Sequence, residues 1–305
     1  ESDASFLHLQ PMVSVVTNIE ADHMETYDFD FERLKDTYLQ FLHNLPFYGL
    51  AVLCIDDEII ESILTRVGRP MLTYGFSEKA SYRVKNFVSS ANTCCFQVDR
   101  PDDLPSLDIK LNIPGVHNAL NATAAIAVAS DEGISDRSII RGLENFSGVG
   151  RRFEIIGEFA VDQGSAMLVD DYGHHPTELK ATIDAVRAGW PEKRLVMAFQ
   201  PHRYSRTRDL FNEFVEVLSQ VDQLVLTDVY AAGEAVIAGA TSKDLSFAIG
   251  QRGAVKPIYV GALQQVNDAI KELVQADDLV LTQGAGSVTK LVAMLTETEL
   301  GQVGV

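Results

Sequence analysis

Two carboxylates, a phenol and two imidazoles stand side by side in Asp170-Asp171-Tyr172-Gly173-His174-His175, and Pro176-Thr177-Glu178 follow directly. The preceding Ala166-Met167-Leu168-Val169 reads as a buried strand. Pro176 to Glu178 suit the first turn of a helix, where a proline forfeits no hydrogen bond. The polar cluster therefore falls at the carboxyl end of a strand. Open α/β sheets bind ligands in the crevice outside such ends, and helix N-termini there offer N–H groups to anions. A His-His pair alone serves equally well to cap a turn or bridge surface carboxylates. The aspartates and tyrosine beside it shift the reading to a site for acid–base or anion chemistry.

Positive charge is scarce in this chain, which makes its clusters informative. The formal net charge is −18 over 305 residues, which argues against non-specific nucleic-acid binding and against docking on an anionic membrane. Against that background Arg151-Arg152 and the run His202-Arg203 through Arg206 and Arg208 form local positive sites that would draw an anionic substrate. Arginines on an acidic protein also form plain surface ion pairs, so neither cluster alone decides the matter. The three cysteines, Cys54, Cys94 and Cys95, suit neither a structural disulfide nor a thiolate metal site, and point to a reducing cytoplasmic compartment. No apolar run approaches the roughly 18 residues of a membrane span.

Hydropathy patterning divides the chain near residue 149 into two α/β organisations, 1–149 and 150–305, in keeping with a length prior of about two domains. In the first, Val13–Thr17, Ala51–Ile55 and Met71–Tyr74 read as strands and Phe31–Leu45 as an amphipathic helix. Short alternating runs from Tyr82 to Asn112 suggest a small antiparallel accessory sheet. His117–Glu132 and Ser135–Phe146 read as helices, and Ser147-Gly148-Val149-Gly150 as a hinge. Beyond it, strands at Met167, Leu195, Leu224, Ile258 and Leu279 alternate with helices near 177–189, 206–220, 241–251, 262–274 and 287–297. That alternation predicts a doubly wound, Rossmann-like parallel sheet. Gly284-Ala285-Gly286-Ser287 invites a dinucleotide-binding reading, but Thr289 stands where the third glycine belongs and too little chain follows. A close strand-to-helix turn accounts for it.

Asp-Asp-Tyr-Gly-His-His-Pro-Thr-Glu at 170–178 resembles the segment that opens the C-terminal domain of the Mur ligases, the ATP-dependent amide-forming enzymes of peptidoglycan precursor synthesis. Four further segments resemble the same family in order. Thr17-Asn18-Ile19-Glu20-Ala21-Asp22-His23-Met24 is similar to its metal-site segment, and Gly115-Val116-His117-Asn118-Ala119-Leu120-Asn121-Ala122 to its adenine-contacting segment. Gly150-Arg151-Arg152-Phe153-Glu154 is similar to its interdomain arginine segment, and Pro201-His202-Arg203-Tyr204-Ser205-Arg206-Thr207-Arg208 to its substrate-facing loop. The opening Glu1-Ser2-Asp3-Ala4-Ser5-Phe6-Leu7, with Asn44-Leu45-Pro46-Phe47-Tyr48-Gly49, looks most like the branch that adds L-alanine to UDP-N-acetylmuramate.

The resemblance implies an incomplete central nucleotide-binding domain followed by the C-terminal domain, a cytoplasmic enzyme of cell-wall synthesis, and ATP and Mg2+ as cofactors. It implies an acyl-phosphate route, in which the carboxylate is activated by ATP before the amine attacks, with ADP and phosphate released. Such a site must neutralise phosphates and hold three reactants in line. His23 is thereby implied as a metal ligand. His117, Asn118 and Asn121 are implied at the adenine, with 118 and 121 on one helix face. Arg152 would clamp phosphate and Asp171 would accept from ribose hydroxyls as the domains close over ATP. Tyr172, His174, Arg203 and Arg206 would face the muramyl substrate and the incoming amino acid. His174 is expected as a positioning group near the acyl centre, with a general-base role as the weaker alternative. Without the resemblance, His23 reads as a surface histidine and the asparagines as caps. Oligomeric state is left open, a homodimer included.

One departure accompanies the match. No G-x-x-G-K-T/S phosphate loop precedes the first segment, and neither Lys290 nor any other lysine follows such a glycine loop. The chain starts at Glu1 without a methionine, so it reads as a fragment beginning inside the central domain. The family's bridging metal-ligand glutamate is expected just upstream, with Glu1 as a substitute candidate. The 305 residues by themselves are expected to show negligible ligase turnover. A sister ligase adding another amino acid or a preformed tripeptide, and a non-catalytic nucleotide- or precursor-binding module, are the alternative readings.

Overall fold

The computed structural model describes residues 3–297, so Glu1 lies outside the described residues. The chain forms two compact units, Glu1–Ser147 and Gly148–Val305.

The first unit is a mixed α/β layer. Its elements are β1 (Val13–Val16), α1 (Phe31–His43), β2 (Leu50–Cys54), α2 (Glu58–Ile63), β3 (Met71–Gly75), β4 (Tyr82–Ser90), β5 (Thr93–Asp99), β6 (Leu107–Leu111), α3 (Val116–Asp131) and α4 (Asp136–Glu144). Every residue of β2 is buried, as a strand covered on both faces requires. Asp30 caps α1 by accepting from Glu32 N and Arg33 N, and Leu34, Leu39 and Leu42 turn inward at helical spacing. The strands run in the spatial order β1-β2-β3-β4-β5-β6, with parallel pairing from β1 to β4 and antiparallel pairing from β4 to β6. The antiparallel runs are therefore not a separate accessory sheet. Tyr74↔Tyr82 and Gly75↔Arg83 join β4 to β3 and continue the parallel sheet.

The second unit contains β7 (Glu154–Val161), β8 (Gly164–Asp171), α5 (Pro176–Gly189), β9 (Leu195–Phe199), α6 (Tyr204–Asp209), α7 (Phe211–Leu218), β10 (Gln223–Leu226), α8 (Ser242–Arg252), β11 (Ile258–Tyr259), α9 (Leu263–Leu273), β12 (Leu279–Gln283) and α10 (Thr289–Glu297). Its sheet runs β11-β10-β9-β12-β8-β7, parallel except for β7. The doubly wound parallel sheet is as the alternation predicts, and the antiparallel edge strand β7 is an addition to it. The helix expected over 206–220 is instead two, α6 and α7, meeting at Leu210. Leu195–Phe199 and Leu279–Gln283 are buried throughout, and burial of each large aliphatic side chain contributes about 1.5–3 kcal/mol. Because β12 lies between β8 and β9, the chain passes from β8 to β9 over it, and the ends of all three strands open on one edge. That edge carries the polar cluster of residues 170–178.

Candidate active site

The loop after β8 is held by its own polar groups. Glu178, at the third position of α5, accepts from His174 N at 2.8 Å and His175 N at 3.1 Å, and His175 Nδ1 accepts from Thr177 N at 3.3 Å. This reciprocal cap fixes the turn that presents His174. Burial alone would raise the acid of Glu178. The His174 and His175 donors and the charges of His174 and Arg152 hold it below its ordinary value.

Asp171 is 6% exposed. Its Oδ2 accepts from Phe153 N at 2.8 Å, and its Oδ1 from Gly173 N and Gln283 Nε2, both at 2.7 Å. The expected ribose contact thus meets a carboxylate already accepting from three of the chain's own N–H groups. Burial pushes its acid above the ordinary carboxylate range, against those donors and the charge of Arg152. Asp170 is turned to the other side. Its Oδ2 accepts from Arg151 Nε at 3.0 Å and its Oδ1 from Thr282 Oγ1 at 2.6 Å, while Arg151 also donates to Gly284 O at 2.7 Å. Arg151 is thus a partly buried pin, and Arg152, half exposed, reaches Glu178 Oε1 at 3.4 Å. Both guanidinium groups lie over the Tyr172 ring, at 5.0 and 5.3 Å from its centroid.

From Tyr172 a ladder of rings crosses the carboxyl edge. Tyr172 meets His174 edge-on at 5.5 Å, His174 lies 5.7 Å from His202, and His202 stacks on Tyr230 at 5.4 Å with an interplanar angle of 11°. Arg206, 5% exposed, places its NH1 3.2 Å from His202 O and 3.3 Å from His202 Nδ1. For Nδ1 to accept, the ring must be neutral with its proton on Nε2. Burial, with the charges of Arg206, His174 and Arg203, lowers the His202 pKa to about 4. His202 is therefore not one of the positive groups expected in the 202–208 run. Arg208 pairs with Asp209 at 2.7 Å.

This neutral ring makes a testable contribution to stability. Its folded pKa of about 4 lies below the ordinary 6.5, so the stabilisation is complete above pH 6.5 and is lost as pH falls towards 4. Urea unfolding followed at Trp190, the single tryptophan and one that stacks on Phe153 in this unit, is expected to show it. Between pH 7 and 4.5 the parent should lose about 1 kcal/mol more than His202→Gln, after discounting for partial exposure. Parallel losses would show that the ring is not held neutral.

Arg203 has φ +71° and its N–H donates to Tyr230 O at 2.8 Å. Its NH1 lies 3.7 Å from Glu234 Oε1. Gln200, 5% exposed at the end of β9, accepts from Val288 N at 3.0 Å and so holds the turn after β12. A Cβ at Gly286 would stand 2.4 Å from Gln200 Oε1 and 2.8 Å from the Tyr230 side chain, so only glycine fits that approach. The structure thus brings Arg152, Asp171, Tyr172, His174, Arg203 and Arg206 to one edge. His202, Tyr230, Gln200 and Glu178 join them there.

The remaining expected residues stand on the first unit. His23, at φ +52°, opens the short turn after β1, and its Nε2 lies 3.5 Å from Asp22 Oδ2. Among the described residues no group of three or more His, Cys, Asp or Glu side chains is arranged to hold a metal ion. Magnesium demands a near-octahedral set dominated by oxygen donors. It keeps several waters and takes only one or two protein carboxylates beside substrate phosphates, so Asp22 and His23 would supply part of such a shell and not a closed cage. His117, Asn118 and Asn121 lie at the start of α3, with Gly115 at its N-cap. Asn118 Nδ2 donates to Pro114 O at 2.6 Å, leaving its oxygen side for a ligand donor, and Asn121 is exposed one turn on. No helix among the described residues is long and apolar enough to cross a membrane.

Comparison with known proteins places both units. The Mur ligase middle-domain family matches residues 1–129, and the family described as the Mur ligase, glutamate ligase domain matches residues 151–286. Among solved structures, the UDP-N-acetylmuramate-alanine ligase MurC of Thermotoga maritima is 26% identical, with a TM-score of 0.76 over 97% of this chain and 61% of its own. The MurF ligase of the same organism in complex with ADP is 20% identical, with a TM-score of 0.70 over 96% of this chain and 63% of its own. The murein peptide ligase mpl of Psychrobacter arcticus is 18% identical, with a TM-score of 0.65 over 98% and 60%. The last two show the shared fold. This chain spans about three fifths of the length of each.

Proposed function

The chain belongs to the Mur ligase family, and from that premise we propose that the whole protein is an ATP-dependent ligase joining L-alanine to UDP-N-acetylmuramate. The observation that carries the reading is the carboxyl edge of the second unit, where a ladder of rings from Tyr172 to Tyr230 is flanked by Arg203 and Arg206. Arg203 and Arg206 bind the carboxylate of the incoming amino acid, Arg206 from a buried position fixed by His202. His174, set by the Glu178 cap, orients the amine towards the acyl centre, with Tyr172 beside it. Arg152, over the Tyr172 ring, meets phosphate oxygens. His117, Asn118 and Asn121 contact the adenine of ATP, the nucleotide whose diphosphate the related MurF ligase holds. Chemistry then proceeds by positioning and charge neutralisation. ATP converts the muramyl carboxylate to an acyl phosphate, the amine displaces phosphate, and ADP is released.

L-alanine is favoured by the opening segment with Asn44–Gly49 and by the 26% identity to MurC. A ligase that attaches a preformed tripeptide is the second reading, supported by the fold shared with the murein peptide ligase. ADP release by the whole protein, given UDP-N-acetylmuramate, ATP and magnesium, separates them. Release that requires L-alanine is expected. Release only with the free tripeptide would move the protein to the second reading, and silence with both would leave a non-catalytic binding module.

A further inference from the structure

The loop after β9 and the loop after β10 are zipped together beyond the end of the sheet. Tyr230 N donates to Pro201 O and Arg203 N to Tyr230 O, each at 2.8 Å, making a parallel bridge between His202 and Tyr230. A tight turn follows, closed by Glu234 N to Ala231 O at 3.0 Å, with Ala232 at φ +49° and Gly233 at φ +90°. That turn brings Glu234 back over the start of α6. Its Oε2 accepts from Ser205 N at 3.0 Å, its Oε1 accepts from Ser205 Oγ at 2.6 Å, and Arg203 NH1 stands 3.7 Å from the same Oε1.

Arg203 needs such support. A non-glycine residue at φ +71° costs about 1–3 kcal/mol and persists only where its surroundings over-determine it. The supports are the Tyr230 carbonyl on one side and the Ser205–Glu234 anchor on the other. Arg203 O in turn accepts from Thr207 N at 3.2 Å and Thr207 Oγ1 at 2.8 Å, so the strained residue is continuous with α6. Burial would raise the acid of Glu234, but the donors on Ser205 and Tyr204 and the charge of Arg203 hold it low, so the anchor is anionic at neutral pH.

We propose that Glu234 is a positioning residue that, by anchoring Ser205 and facing Arg203, aims the Arg203 guanidinium at the substrate carboxylate. The inference rests on the reading of Arg203 given above. Geometry rather than charge is the main contribution, since the two bonds to Ser205 are shorter than the contact with Arg203. An amide in place of the carboxylate keeps an oxygen for Ser205. Alanine keeps nothing.

Steady-state kinetics on the whole protein test this with Glu234→Ala, Glu234→Gln and Arg203→Ala. Glu234→Ala is expected to raise KM for L-alanine by about tenfold with KM for ATP changed less than about twofold, and Glu234→Gln to stay within about threefold of the parent. An unchanged KM for L-alanine in Glu234→Ala, alongside a raised one in Arg203→Ala, would overturn the role of Glu234 alone. Equal rises for ATP and L-alanine would also overturn it, since they report general loosening. An unchanged KM for L-alanine in Arg203→Ala would instead overturn the reading of Arg203 on which the inference stands.

Discussion

Replacing Arg203 with alanine is expected to lower kcat/KM for ligation by about a hundredfold, equivalent to about 3 kcal/mol, while leaving the fold intact. Two observations separate the effects. Arg203 keeps 36% of its side chain exposed and stands 3.7 Å from its carboxylate partner, so the pair adds well under about 1 kcal/mol to stability. Alanine and arginine also suffer similarly at positive φ, so the backbone cost is unchanged. A substrate carboxylate losing a charge-assisted, two-pronged donor inside a crevice loses far more. Arg203→Lys should recover only part of the activity, because an ammonium cannot reproduce the planar fork. Thermal unfolding measured beside the kinetics decides the matter. If Arg203→Ala melts several degrees lower and the activity loss merely follows the unfolded fraction, the residue is structural.

The carboxyl edge of the second unit was legible in the sequence because its signals are local. The apolar run before Asp170, Pro176 at the first helical position and Glu178 three residues after His175 are each readable from neighbouring residues, and they become β8 and α5 as expected. What depends on distant pairing was not legible. β7 lies at the sheet edge, is only partly buried and carries a register shift between Ile155 and Gly157, so it shows no clean alternation. Joining β4 to β3 rests on two residue pairs, a choice of register that no local pattern announces.

The site divides in the same way. Arg152, His174, Arg203 and Arg206 were singled out by residue type and motif, and the fold sets them on one edge. The neutrality of His202 was not, because it arises first from burial, with the charges of Arg206 and Arg203 beside it and of His174, which the fold brings near. Glu234 and Gln200 were also missed, being ordinary polar residues in the sequence. The Ala231-Ala232-Gly233-Glu234 stretch carries one usable signal, a glycine turn just before an acid, which fits a loop that folds back on its neighbour. Asp171 shows the converse. Its residue type suggested a ligand contact, yet most of its hydrogen-bonding capacity holds the loop that carries Tyr172 and His174.

Arg151→Ala is expected to cost the second unit about 3–4 kcal/mol of stability at neutral pH, making it the most damaging single change in the crevice. Asp170 is 2% exposed, and the guanidinium of Arg151 is its ionic partner at 3.0 Å. Removing that partner leaves a buried carboxylate with the Thr282 hydroxyl, and leaves Gly284 O without the Arg151 donor. A carboxylate so placed keeps its desolvation cost without the charge that offset it. Adding Asp170→Asn removes the buried charge and should return about half of the loss, whereas two independent defects would add. Trp190 fluorescence in urea reads this unit alone, since it carries the single tryptophan of the chain. A double variant less stable than the single would mean that Arg151 acts by packing on Tyr172 and not by neutralising Asp170.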